Sequence, residues 1–381
     1  MKIKICKICV TPSTRPRINF NNDGVCNACV NSDQKKNIDW TEREKEFNLY
    51  VQKIKNEKEK NNNQYDCIVP WSGGKDSTSI ALKLKKNFNL NPLLVTFSPL
   101  IINEVGQYNR EILLDEGFDS IFFRPNQKIA KLLSRRFFIE RGNPKVAWDA
   151  GINAIPLKIA QNYKIPYIFY AEHGESEYGG LVLNKDSTKI RNYEEVIEHQ
   201  IGDYPENWLD DEILEDDLAP YLYPKFDKDN FKPTALYFSY FFNWSMANNY
   251  DYVKTNLPKF KTSEFGRTSG TFTNFDSLDD KIDDLYYYMQ YIKFGFGRCV
   301  RDASRLVQNN RISREDAMSY VKKYDGEFPK NNLDEVLNYL SLKKKEFEEI
   351  VDKHRNEEIW KKTANGWDLK SLINQKLIDE N

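Results

Sequence analysis

The chain has 381 residues, with 56 Lys and Arg against 57 Asp and Glu, for a formal net charge of -1. That balance argues against a surface coated for nucleic acid, and the length suits one large domain or two ordinary ones. An aromatic content of 14% excludes a disordered chain, and the lack of any apolar run of about 18 residues excludes a membrane helix.

In chain order, the first feature is "CKICVTPSTRPRINFNNDGVCNAC", which holds Cys6, Cys9, Cys26 and Cys29 in the pattern C-x2-C-x16-C-x2-C. Each C-x2-C turn presents two thiolates to one ion, and the intervening loop lets the pairs close a tetrahedron. Four sulfurs leave no open position for water, so a structural Zn²⁺ in a ribbon over residues 1–35 is expected. The opening residues lack the apolar stretch of an export signal, so the expected compartment is the cytoplasm, where disulfides are rare.

Trp40 to Asn61 is strongly charged with apolar residues at Phe47, Leu49, Tyr50, Val51 and Ile54, which predicts an amphipathic helix in a linker over 36–64. From Tyr65 short apolar strands alternate with helices. "YDCIVPW", "NPLLVTF", "DSIFFRP" and "IPYIFYAEH" read as strands, with helices after the first two and over "AGINAIPLKIAQNY". This predicts an α/β domain over 65–183 with a doubly wound parallel sheet, whose ligands sit beyond the carboxyl ends of the strands. The stretch 184–276 is acidic, aromatic and punctuated by proline, and reads as an insertion or substrate lid. Residues 277–381 read as a helical C-terminal region.

The chemistry centres on "WSGGKDS", between the first strand and its helix. Gly73 and Gly74 let backbone N–H groups approach an anion, the helix offers its positive end, and Lys75 adds a point charge. Ser72 and Ser77 add hydroxyl donors. A Walker A loop requires the hydroxyl residue directly after lysine, but Asp76 intervenes here, and the dinucleotide-binding G-x-G-x-x-G is absent.

This turn resembles the S-G-G-x-D-S signature of the PP-loop ATP pyrophosphatases, of adenine nucleotide alpha hydrolase-like fold. The resemblance implies that ATP is split to AMP and pyrophosphate, with AMP passing to a substrate oxygen before a nucleophile displaces it. Within that superfamily the chain is similar to the N-acetyl sugar amidotransferases of bacterial surface-polysaccharide and flagellar-glycan biosynthesis. The similarity rests on the cysteine block, the loop, "GESEYGG" at 174–180, "GTFTNFDSLDD" at 270–280 and "KFGFGRCVRDASRLVQNNRISREDAMSYVKKYD" at 293–325. At 174–176 the sequence reads GES where the family pattern reads GEN. The implied activity converts the acetamido group of a nucleotide-activated sugar into an acetamidino group, with ATP and Mg²⁺, and with ammonia from a separate glutaminase and a channelling subunit. The alternative is a tRNA thiolation enzyme, which would need further cysteines near the site. Cys67 and Cys299 each stand alone.

The expected catalytic residues are Lys75, Asp76, Glu175 and Arg298. ATP is expected to contact Ser72, Gly73, Gly74, Lys75, Asp76 and Ser77, with Thr96 and Phe97 against adenine. Glu175, Glu177 and Tyr178 are further candidates for Mg²⁺ or the sugar, and Arg267, Arg298 and Arg301 for the nucleotide-sugar phosphates. Asp276, Asp279 and Asp280 offer carboxylates that the start of a helix would also favour. Asp149, Asn153 and His173 are weaker candidates, each with an ordinary packing or capping role open to it.

Overall fold

The computed structural model describes residues 3–182, 186–226, 231–364 and 366–370. The expected boundary between residues 183 and 184 lies outside the described residues, as does the end of the C-terminal region from residue 371.

The cysteine-bearing segment closes on itself through the isolated antiparallel bridges Ile5–Pro12 and Phe20–Cys26 and enters α1 (Asn27–Gln34). Then comes α2 (Trp40–Asn61), capped by the Asp39 carboxylate, which accepts from the N–H groups of Thr41 and Glu42. Asn62, in the left-handed region at φ 50°, ends it.

Five parallel strands follow, alternating with helices: β1 (Cys67–Pro70), α3 (Lys75–Phe88), β2 (Pro92–Phe97), α4 (Glu104–Leu114), β3 (Ser120–Phe123), α5 (Gln127–Arg141), α6 (Val146–Tyr163), β4 (Tyr167–Tyr170), then α7 (Gly174–Tyr178) and β5 (Thr234–Tyr237). Their order is β3-β2-β1-β4-β5. Alternate side chains explain why helices cover both faces. Cys67, Val69, Leu94 and Phe169 pack on one side with α2, α3 and α4, while Ile68, Val95, Phe97 and Ile168 pack on the other with α5 and α6. A strand buried on both faces reads as a continuous apolar run, which is how β1, β2 and β4 appear in the sequence, whereas β3 lies at the edge with Ser120 and Phe122 exposed.

Because the chain lays β2 and β3 on one side of β1 and then returns to place β4 on the other, a crevice opens beyond β1 and β4. That is the topological switch point, where sheets of this kind bind ligands. Two features differ from the sequence reading. Thr234–Tyr237 lies within the stretch read as a lid, yet it completes the sheet beside β4. After the helices Asp283–Phe294, Arg298–Gln308, Arg314–Tyr324, Leu333–Tyr339 and Lys344–Lys353, the C-terminal region adds an antiparallel hairpin of β6 (Trp360–Thr363) and β7 (Gly366–Leu369).

The Asp280 carboxylate pins the segment before those helices to the loop after β2, accepting from Leu100 N at 2.9 Å and Ile101 N at 3.0 Å. Residues 275–279 thereby form one wall of the crevice.

Candidate active site at the sheet switch point

The turn from β1 into α3 is built as anion chemistry requires. Gly73 has φ +95°, a region that side chains disfavour, and a Cβ there would fall 2.8 Å from Arg110 Cγ and 2.9 Å from the Gly106 carbonyl. Arg110 fixes the turn from behind by donating to the Ser72 carbonyl at 3.1 Å. Trp71 steadies its flank through Nε1, which donates to Thr78 Oγ1 at 3.0 Å. Gly74 is the residue from which α3 starts, so the free N–H groups of the first turn face the crevice end of the sheet.

The crevice is a cavity of about 370 Å³ with two characters. Ser72, Gly74, Lys75, Asp76 and Ser77 line its polar end, while Phe97, Trp148, Ile152 and Tyr170 line an apolar slot. Lys75 is buried and its ammonium donates to Asp276 Oδ1 and, at 2.8 Å, to Asp76 Oδ2. Asp76 Oδ1 accepts from Asn249 Nδ2 at 2.9 Å, so the residue that breaks the Walker pattern organises the turn. Burial of Asp276 favours its neutral acid, but Lys75 and the guanidiniums of Arg301 and Arg298 outweigh that and hold its pKa down at about 2. Glu172, just after β4, goes the other way. Burial first, then the negative charge of Asp76, push its pKa up to about 7. Asp76 and Glu172 face each other closely enough to raise Glu172, so they are carboxylates that could hold a divalent cation in the cavity they share with Asp276 and Asp279.

Of the expected site residues, Ser72, Gly74, Lys75, Asp76, Ser77, Phe97, Asp276 and Asp279 all line this cavity, and Gly73 shapes its turn. Thr96 does not line it. Its hydroxyl donates to the Trp71 carbonyl at 2.5 Å, tying the two strand ends together. Glu175 lies outside the lining, where Arg17 grips both its oxygens at 3.0 and 2.7 Å and Leu181 N donates to it at 2.8 Å. Arg298 is also outside the lining, almost fully buried, with Nε 3.8 Å from Asp302 Oδ2 and its guanidinium over the Tyr287 ring. Its charge still reaches Asp276. Arg267 forms a two-pronged pair with Glu327 at 2.6 and 2.8 Å, away from the crevice. Arg301 donates to the Tyr287 hydroxyl, and Asp280 is spent on the backbone contacts that hold the wall.

Asn153 accepts from Arg191, which does line the cavity, and donates to the Asp149 carbonyl at 2.7 Å. Burial pushes Asp149 up to about 7. His173 caps α7 through Nδ1 and meets Glu195 at 3.1 Å through Nε2, and burial holds it down at about 4, so it is a satisfied capping residue. The sequence places Glu172 in a stretch, 172–180, at the end of a predicted strand and so towards the crevice, and the structure puts it in the lining. For Trp148, Tyr170 and Arg191, which also line the cavity, the sequence gives no sign of a place in the site.

The four cysteines form a compact buried cluster, with every sulfur within 4.8 Å of the others. Cys6 and Cys29 are 3.8 Å apart and Cys9 and Cys26 3.7 Å, close to the edge of about 3.8 Å that Zn–S bonds of about 2.3 Å give a tetrahedron, and far beyond a disulfide of about 2.05 Å. Cys26 N donates to Cys6 Sγ at 3.3 Å, Thr11 N to Cys9 Sγ at 3.5 Å and Gln308 Nε2 to Cys29 Sγ at 3.5 Å, a donor shell suited to thiolate ligands. Four close cysteines of this kind could bind a structural zinc. Cys67 and Cys299 are buried to zero exposure, and burial pushes both thiols far up.

Among the described residues no helix is long and apolar enough to cross a membrane. Residues 269–373 match the family described as LPS biosynthesis protein WbpG-like, C-terminal domain. A stretch of 92 residues is 37% identical to the uncharacterized protein MJ1599 of Methanocaldococcus jannaschii, covering 24% of this chain and 31% of that protein. The chain thus matches under a third of that relative's length. The helices and hairpin that follow the crevice wall are therefore similar to a domain of lipopolysaccharide biosynthesis proteins.

Proposed function

We propose that the protein is an ATP-dependent amidotransferase of lipopolysaccharide or related glycan biosynthesis, one that adenylates the acetamido oxygen of a nucleotide-activated N-acetyl sugar. The observation that carries this reading is the glycine turn at the sheet switch point, with buried Lys75 held between Asp76 and Asp276 and an aromatic slot alongside. The WbpG-like match at 269–373 supports the biosynthetic setting, and the S-G-G-K-D-S turn supports the pyrophosphate-releasing class.

On this reading the β and γ phosphates of ATP lie on the N–H groups around Gly73 and Gly74 and at the start of α3. Adenine fills the slot of Phe97, Trp148, Ile152 and Tyr170. The acetamido oxygen attacks the α-phosphorus, the bond to the bridging oxygen breaks, and pyrophosphate leaves with its charge met by Lys75. Mg²⁺ held by Asp76 and Glu172 would supply further neutralisation there. The resulting imidate carries AMP as a leaving group. Ammonia adds to the imidate carbon, a proton is lost, and AMP departs to leave the acetamidino group. The chemistry needs no protein nucleophile, and the burial of Cys67 and Cys299 weighs against sulfur transfer. A separate glutaminase supplies the ammonia.

The test is incubation of purified protein with ATP, Mg²⁺, ammonium and a nucleotide-activated acetamido sugar. AMP and a product in which NH replaces the amide oxygen are expected. Strong activity of the isolated chain with glutamine alone would contradict the separate ammonia source.

A further inference from the structure

Where the cysteine segment meets the helix Arg298–Gln308, two adjoining cavities of about 190 and 20 Å³ share Glu177, Arg305 and Gln308. They have no lining residue in common with the ATP crevice. Five cations line them (Arg15, Lys35, Lys36, Arg301 and Arg305) against a single lining carboxylate, Glu177, which Lys35 already pairs. The cations come from three separate parts of the chain, so helix periodicity does not account for their convergence.

Two buried donors in this cleft lack acceptors among the described residues. Arg305 is 4% exposed and Trp244 6%, yet Arg305 Nε and the Trp244 indole N–H have no hydrogen-bond partner. Such groups are normally satisfied, so a pair of them in one cavity marks a missing acceptor. The crowding also registers on Arg15: burial first, then the nearby guanidiniums of Arg305 and Arg301, pull its pKa down to about 10, with Glu175 opposing. An anion would relieve all three.

Tyr178 joins this cleft to the crevice. Its ring lies 3.3 Å from the Arg305 guanidinium carbon, and its hydroxyl donates to Glu172 Oε1 at 2.5 Å. We propose that the cleft is a second phosphate site, which holds the diphosphate of the nucleotide-activated acceptor while ATP occupies the crevice across Tyr178. Guanidinium forks suit paired phosphate oxygens, and three of them with two lysines favour a diphosphate over a monophosphate. The cysteine segment, which supplies Arg15 and one wall, thereby becomes part of the acceptor site. Naming the occupant as the acceptor rests on the adenylation reading, whereas the anion site stands on the cleft's own residues.

The test is calorimetric titration of the zinc-loaded full chain with uridine diphosphate and cytidine monophosphate. Uridine diphosphate should bind Lys75→Ala as it binds wild type, and cytidine monophosphate should bind at least about tenfold more weakly. Arg301→Met and Arg305→Met should weaken uridine diphosphate by about thirtyfold or more. If buried Arg305→Met fails to fold, half-buried Arg15→Gln should give a loss in the same direction. No binding to wild type, equal binding of the monophosphate, or loss in Lys75→Ala with retention in the arginine variants would each overturn the cleft. Diphosphate binding that maps to the cleft without AMP formation would keep the site and remove the adenylation reading, while AMP formation with arginine variants that bind normally would do the reverse.

Discussion

Lys75 and Glu172 carry opposite electrostatic tasks within one cavity, and each makes a prediction. Lys75 is buried between two carboxylates, so Lys75→Met leaves Asp276 without its hydrogen-bonded cation. Breaking a buried pair in this way costs about 3–5 kcal/mol of stability, and loss of a charge positioned on the leaving group lowers turnover by about 10²–10³. Thermal melting and AMP release, assayed well below the melting point, check the two effects separately, and unchanged turnover would remove Lys75 from the mechanism. Glu172 has a folded pKa of about 7 against an ordinary value of 4.5. The folded chain therefore keeps a proton that the unfolded chain has already released, and this contribution to stability is lost as pH rises from about 4.5 to 7. Glu172→Gln should flatten the fall in urea midpoint across that window, and an unaltered slope would contradict the assignment. Gly73 is the third case. Gly73→Ala forces a side chain into a left-handed backbone against Arg110 and the Gly106 carbonyl, a strain of about 1–3 kcal/mol, so ATP affinity should fall by about tenfold or more in calorimetry.

At the scale of elements, the cysteine segment acts as a wedge. Arg17 holds Glu175, Arg15 Nε donates to the Gly179 carbonyl at 2.9 Å, Asn27 donates to the Gly180 carbonyl at 2.6 Å, and Thr11 donates to Ser304 at 2.9 Å. These contacts join it to the loop around α7 and to the helix Arg298–Gln308, both next to the crevice. Metal removal should therefore act at a distance. One zinc per chain is expected by elemental analysis, and strong chelation should lower the melting temperature by several degrees and speed proteolysis within residues 1–35. A chain that melts identically with and without chelator would show that the cysteines hold no structural ion.

For the whole molecule, what was legible in the sequence follows from how locally each feature is encoded. The strands β1, β2 and β4 announced themselves because burial on both faces demands uninterrupted apolar residues, while the edge strand β3, with Phe122 exposed, was legible only from its short aromatic and β-branched run. The glycine turn between β1 and α3 was legible because backbone geometry fixes its glycines. The strand Thr234–Tyr237 was missed because its pairing with β4 is a tertiary fact, and the acidic, proline-marked residues around it read as a loop. Helix α5 went unnoticed between a predicted strand and the helix after it, and the terminal hairpin hid behind charged residues. The site divides the same way. The turn residues line the crevice as expected, whereas the aromatic slot draws Trp148 from α6 and Tyr170 from β4, a convergence no local pattern encodes. Glu175 stood out for its motif, yet its neighbour Glu172 is the carboxylate that faces the cavity. All of these parts serve the claim that the turn holds the β and γ phosphates while the α-phosphorus is attacked. Phosphorus NMR of ATP consumed in the presence of a nucleotide-activated acetamido sugar and ammonium tests it most directly. AMP and pyrophosphate in equal amounts are predicted, and ADP with inorganic phosphate would contradict it.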